Sequence, residues 1–351
     1  MAVLARKELE ESPLADLHAI ASELRVEGFR RMRKEDLIAA ILAAQGGGEE
    51  PPPAGEAPPP SGEPEPEEPA PAEEEETRGG VLDILPNGSG FMRVDAFAHS
   101  PEDVYVSPAQ IRRCELRAGD ELSGIVRPPR RSERYPSLVR IETVNGGPAE
   151  PPAERPRFED LTAVFAGERL AAPEGLDAVP YGKGSRVAIA GPPHAGATAL
   201  LRAIATTLAE RHSDLDVAVV LAGVRPEEVT EWRRGVSIPV AGGGFDRPVA
   251  EQAQAAEMAI ERAKRAAERG AHAAVLVDSL ETLPPASARR VFGAARNTEE
   301  GGSLTVIGTT GPIGELQRMA TTRIVLGAAT GEGGAPLIAE ASSGTTHAEL
   351  L

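Results

Sequence analysis

The stretch that most constrains this chain is residues 46–80, GGGEEPPPAGEAPPPSGEPEPEEPAPAEEEETRGG, which holds 11 Glu, 10 Pro and one Arg and no aromatic residue. Such a segment has too little apolar surface to offset the entropy of ordering it, so it is expected to be a disordered, extended tether. The chain must therefore fold as separate pieces on either side. The same stretch accounts for ten of the 17 net negative charges. The acidic balance is mostly a property of the tether, and it does not exclude a polyanionic partner for the rest.

Each piece has its own periodicity. Within residues 1–45, Ser12-Pro13-Leu14 opens a helical pattern, and Leu37, Ile38, Ile41 and Leu42 repeat at helical spacing beside the basic run Arg30, Arg31, Arg33, Lys34. A small helical domain is expected, its cations either touching phosphates or forming a solvated helix end. Residues 81–146 carry short alternating runs, Val104-Tyr105-Val106 and Leu138-Val139-Arg140-Ile141, broken by turn residues. Short strands at that spacing predict a small β-barrel. From about residue 160 to 351 the runs Val187–Ala190, Val217–Leu221, Ala274–Val277 and Leu304–Ile307 read as buried parallel strands. Ala256, Ile260, Ala263 and Ala267 put one apolar stripe on a long helix between two of them. The fold class expected is multidomain, α+β and α/β: a helical N-terminal domain, an OB-fold or cold-shock-like barrel, and a RecA-like P-loop domain.

The single cysteine, Cys114, excludes a disulfide framework, and six scattered histidines offer no ligand cluster. Metal is expected only as an ion carried in with a nucleotide. No run approaches a membrane span, and the first residues contain no apolar signal core, so a cytoplasmic location away from membranes is expected.

Three strings occur in an order that resembles the bacterial transcription termination factor Rho family: Arg31–Ile38; the set Gly80-Val81-Leu82, Asp103–Pro108, Gln110–Arg113, Arg127-Pro128-Pro129 and Glu133-Arg134-Tyr135; and Arg225–Glu231 with Phe292–Asn297 and Glu299–Thr305. Apart from the tether they span nearly the whole chain.

From spacing alone, Phe91 and Tyr105 serve equally as barrel core or as a stacking platform on which the nearby cation Arg93 is expected to contact phosphate. The resemblance favours the platform, because Phe91, Arg93, Asp103, Tyr105, Glu133, Arg134 and Tyr135 match the family's primary RNA site. Single-stranded, cytosine-rich RNA is the partner that it implies. Ser89 stands where the family has a second aromatic.

Gly191-Pro192-Pro193-His194-Ala195-Gly196-Ala197-Thr198 follows a strand and opens a helix, the context of a phosphate-binding loop. The frame ends Gly-Ala-Thr, so the lysine that reaches the β- and γ-phosphates is missing. By resemblance, His194 replaces a second lysine, and Arg225 and Asp278 keep family positions. Val224 replaces the catalytic glutamate, Thr346 the arginine finger, and the region of Ala335 lacks the adenine-stacking aromatic. The chain is also short between Asp278 and Arg289 and between Thr310 and Arg323, where the family's RNA-gripping loops lie. A spare cation could restore the loop, with Lys183 and Arg202 as the candidates. No catalytic residue is assigned. ATP with Mg²⁺ is implied only as a weakly bound or absent cofactor.

These readings make the chain a Rho-like RNA-binding protein that modulates termination after losing its ATPase, with true Rho subunits or RNA polymerase as further partners and a homo-oligomer left open. The alternative is an active ATP-dependent RNA translocase.

Overall fold

The computed structural model describes residues 76–95, 99–131, 133–150, 155–311, 313–328, 339 and 343–351, with eight positions between 17 and 41. The chain divides into two compact units, Met1–Glu68 and Pro69–Leu351. In the first, the described positions are helical, and Leu17, Ala21, Leu37, Ile38 and Ile41 are buried. Apolar side chains at that spacing close a small core. Residues 46–75 of the expected tether, Leu42 and the cations Arg30, Arg31 and Arg33 lie outside the described residues.

The second unit opens with a barrel. Strand β1 (Glu76–Ile84) pairs with β2 (Gly90–Arg93) and β4 (Glu121–Arg127), and β4 with β5 (Ser137–Val144). Strand β3 (Val104–Val106) pairs with β2 and meets β5 at Tyr105 and Ser137, closing the barrel; β6 (Gly147–Pro148) extends its edge. The tether expected to run to residue 80 therefore ends earlier, and the barrel spans 76–148 rather than 81–146. Thr77, Arg78, Gly79 and Gly80 bury no apolar side chain of their own, and backbone pairing with Ile125, Gly124, Ser123 and Leu122 makes them a strand. Helix α1 (Pro108–Arg113) plugs the barrel with Ile111, and Ser107 and Gln110 form its capping box.

The rest is a parallel sheet in the order β10-β9-β11-β13-β8-β14-β15: Val240–Gly244, Leu215–Val224, His272–Asp278, Ser303–Thr309, Arg186–Ala190, Thr322–Val325 and Gly344–Thr345. Only the β14–β15 pairing on that path is antiparallel; off it, β12 (Arg296–Thr298) pairs antiparallel with the start of the inner strand β13, and β7 (Ala163–Val164) pairs with β12. The four apolar runs are central strands, covered on both faces, which explains their unbroken hydrophobicity. Helices α2 (Ala197–Arg211) and α3 (Pro226–Gly235) pack on one face, and α4 (Val249–Glu268) and α5 (Pro285–Gly293) on the other.

Helix α4 also carries the barrel. Gly119, left-handed at φ 85°, lies so close to it that a Cβ would stand 2.3 Å from the Glu261 carbonyl carbon. Arg262 Nε donates to Glu121 at 3.1 Å and its Nη1 pairs with Asp216 at 2.7 Å, while Arg117 lies 3.4 Å from Glu268. Among the described residues no helix is long and apolar enough to cross a membrane, and no group of His, Cys, Asp and Glu could hold a metal ion.

Candidate functional site

Two sites stand at opposite levels of completeness. On the barrel, Phe91 from β2 meets the ring of Tyr105 edge-on at 6.0 Å and that of Tyr135 at 5.0 Å. All three rings are half-buried. Tyr105 and Tyr135 border a groove of about 770 Å³ that Arg113, Arg127, Arg130 and Arg134 also line. Arg113, Arg130 and Arg134 are exposed, and Arg134 lies over the Tyr135 ring at 5.4 Å. Glu133 accepts both Arg127 Nη1 and Nη2 at 2.7 and 2.8 Å and the Arg130 N–H at 3.2 Å. Those bonds, the Arg127 guanidinium first, hold its carboxyl down to about 2.

Arg93 departs from the expectation of a phosphate-contacting cation. Only 4% exposed, it donates to Asp103 at 2.7 Å and to Asp83 at 2.5 Å, with its guanidinium 5.1 Å from the Phe91 ring centre. Asp103, equally buried, also accepts the Ser100 N–H at 2.9 Å. A cation neutralised by two carboxylates supports the ring above it rather than meeting solvent. Ser89 is buried in the β1–β2 turn, its hydroxyl donating to Asn87 at 2.8 Å. Sequence reasoning missed Asp83, Arg113 and Arg130. Charge at Arg130 and Arg113 was the available signal, whereas Asp83 gave none.

The phosphate loop keeps its backbone and lacks its charge. His194 and Gly196 are left-handed at φ 66° and 87°, and Gly196 caps α2. Ala197 supplies no cation there. Lys183 is buried and pairs with Glu168 and Asp214, each at 2.7 Å; burial pushes its pKa down, but the two carboxylates outweigh it and raise it. Arg202 donates to Glu231 at 2.9 Å and lies over Trp232. Both spare cations are thus engaged elsewhere. Arg225 is exposed and precedes α3, 3.9 Å from Glu228, and Val224 is buried at the end of β9.

Asp278 ends β11 with 3% exposure, its Oδ1 accepting the Thr309 hydroxyl at 2.8 Å while its Oδ2 has no hydrogen-bond partner. Burial raises its pKa. Thr309, Thr198 and Trp232 draw it part-way back, the Trp232 indole N–H without completing a bond. Thr346 stands on the far edge: its strand neighbour Thr345 pairs with Thr322, which pairs with Val187 at the start of β8, whereas the phosphate loop follows that strand's end. Ala335 lies outside the described residues. From Asp278 one short turn leads directly to α5, and among the described residues after Thr310 the helix α6 (Glu315–Met319) is followed at once by β14, which starts at Thr322. The loop thus offers backbone amides but no lysine for the β- and γ-phosphates of a bound triphosphate, whereas the unpartnered Oδ2 of Asp278 still fits an ion carried in with a nucleotide.

Because the folded-state pKa of Asp278 is raised, its ionisation opposes folding at neutral pH, and the penalty shrinks as pH falls below the folded pKa and is gone below the unfolded pKa. Asp278→Asn is accordingly expected to raise the urea midpoint at pH 7 and to lose that advantage toward pH 4. An unchanged gap across that range would reject the assignment.

Residues 78–150 match the model of the Rho termination factor RNA-binding domain, and residues 8–50 that of the Rho termination factor N-terminal domain. The chain is 37% identical over 339 residues to transcription termination factor Rho of Haemophilus influenzae, covering 86% of this chain and 75% of that one. The Rho proteins of Allochromatium vinosum and Escherichia coli K12 match at 38% with the same coverage. The chain belongs to the Rho family. A solved type III secretion ATPase superposes with a TM-score of 0.47 at 19% identity, over 61% of this chain and 73% of that one. Within the Rho family's RNA-binding domain fall the three rings, the groove and the Arg93 ion pairs, whereas the loop replacements lie beyond it.

Proposed function

We propose that this Rho-family chain holds single-stranded, cytosine-rich RNA on its barrel and modulates transcription termination in the cytoplasm without turning over ATP. The observation that carries the reading is the cluster of Phe91, Tyr105 and Tyr135 beside a groove of exposed arginines. Half-buried rings stack bases, and the flanking cations hold the backbone. Phe91, Tyr105 and Tyr135 are the stacking residues, Glu133 the acceptor for a base amino group, and Arg134 a phosphate contact. Arg93 and Asp103 hold the platform from beneath. The pyrimidine preference comes from the family resemblance. Without Ala197, Val224 and Thr346 in their family identities, the chain acts as a binder, with true Rho subunits or RNA polymerase as its targets.

Base stacking on one aromatic is worth about 1–3 kcal/mol. Titrating a labelled oligocytidine should therefore show Phe91→Ala binding about 5- to 150-fold more weakly than wild type. Equal affinities would remove the barrel as the RNA site.

A further inference from the structure

The Arg93 ion pairs do not end within the barrel. Asp83 Oδ2, which accepts Arg93 Nη2 at 2.5 Å, also accepts Gln254 Nε2 at 2.8 Å, and Gln254 Oε1 lies 2.7 Å from His99 Nε2. Gln254 belongs to α4, the helix packed on β9, β10 and β11. Its orientation follows from elementary chemistry. A carboxylate paired with Arg93 can only accept, so the amide nitrogen must face Asp83 and the amide oxygen must face His99, which then donates from Nε2. One side chain thus holds both β1 and the β2–β3 connection, the two segments that grip Arg93 through Asp83 and, via Ser100 N–H, Asp103.

We propose that Gln254 is a positioning residue for the RNA platform, tying the ring of Phe91 through Arg93 and Asp83 to helix α4, so that an RNA base on that ring is felt in the α/β domain. The proposal rests on the RNA reading above. A base settling on Phe91 presses on a ring whose underside is the Arg93 guanidinium, and any adjustment of Arg93 must be matched by Asp83, whose other donor is Gln254. By linkage, whatever steadies α4 also steadies the platform.

The test uses the full chain and oligocytidine as the probe. Gln254→Met keeps the length and removes both polar atoms. It is expected to weaken RNA binding about five- to tenfold, the scale of one ordinary hydrogen bond, because the lost contact reaches the RNA only through Arg93. Arg262→Met cuts another polar tie between α4 and the barrel, and it should leave RNA affinity within twofold. Hydrogen exchange supplies a readout that general docking would not move. RNA should slow exchange in residues 249–256 of the wild type, and saturating RNA should fail to do so in Gln254→Met. Wild-type affinity in Gln254→Met, an equal loss in Arg262→Met, or RNA-induced protection that survives Gln254→Met would each overturn the proposal. Phe91→Ala separates the two readings. If it binds normally, the RNA site is elsewhere; if it binds poorly while Gln254→Met does not, only the tie to α4 fails.

Discussion

Purified protein given ATP, Mg²⁺ and oligocytidine is expected to release phosphate at no more than the background rate, and Ala197→Lys alone is expected to leave that rate unchanged. The substitution should still tighten nucleotide binding by about 10- to 100-fold, because a charge-assisted contact is worth roughly 1.5–3 kcal/mol. The loop that would receive it is intact in its backbone, with Gly196 left-handed at the start of a 15-residue helix. Binding is therefore the easier property to restore. Turnover also needs a carboxylate to orient water and a cation for the transferring phosphoryl group, an arginine finger alone being worth about 10³–10⁵ in rate. Val224 is a buried apolar side chain and Thr346 is uncharged. The measurement compares nucleotide affinity and phosphate release for wild type, Ala197→Lys, and Ala197→Lys with Val224→Glu and Thr346→Arg. RNA-stimulated release by the wild type would make this chain an active, divergent translocase. Neither Lys183 nor Arg202 stands ready to supply that outcome, since each already pairs with acidic side chains.

Much of this architecture is legible in the residues because it is driven by continuous apolar burial. Val217–Leu221 and Ala274–Val277 are apolar at every position and become central strands, and the stripe Ala256, Ile260, Ala263, Ala267 becomes the buried face of α4. What escapes is structure made by distant partners. Thr77-Arg78-Gly79-Gly80 has the composition of the preceding tether and becomes strand only because β4 pairs with it. The site divides in the same way. The aromatics and the lost lysine can be read from types and order. Whether an arginine faces solvent or two carboxylates depends on tertiary packing, and Gln254 lies 171 residues from the aspartate it serves.

Arg93 is where that difference has its largest consequence for stability. Replacing it with methionine is expected to cost about 3–5 kcal/mol of barrel stability, the usual penalty when one partner of a buried ion pair is removed. The reason is what remains: Asp103 at 1% and Asp83 at 12% side-chain exposure would keep two carboxylates facing each other without a cation. Truncating all three together should cost less than the single change, because no buried charge is then left unpaired. RNA binding distinguishes this role from phosphate contact. A phosphate-bound arginine contributes close to one unit to the slope of log affinity against log salt, about 0.7 for a single strand. Arg134→Met should reduce that slope. Arg93→Met, measured where the barrel is still folded, should weaken binding while leaving the slope unchanged, because the Arg93 charge is already neutralised inside the protein. Urea unfolding of the barrel followed by tyrosine fluorescence, together with RNA titrations at several salt concentrations, checks both halves. A fully stable Arg93→Met protein with a reduced salt slope would return Arg93 to the phosphate-contacting role that its position in the sequence suggests.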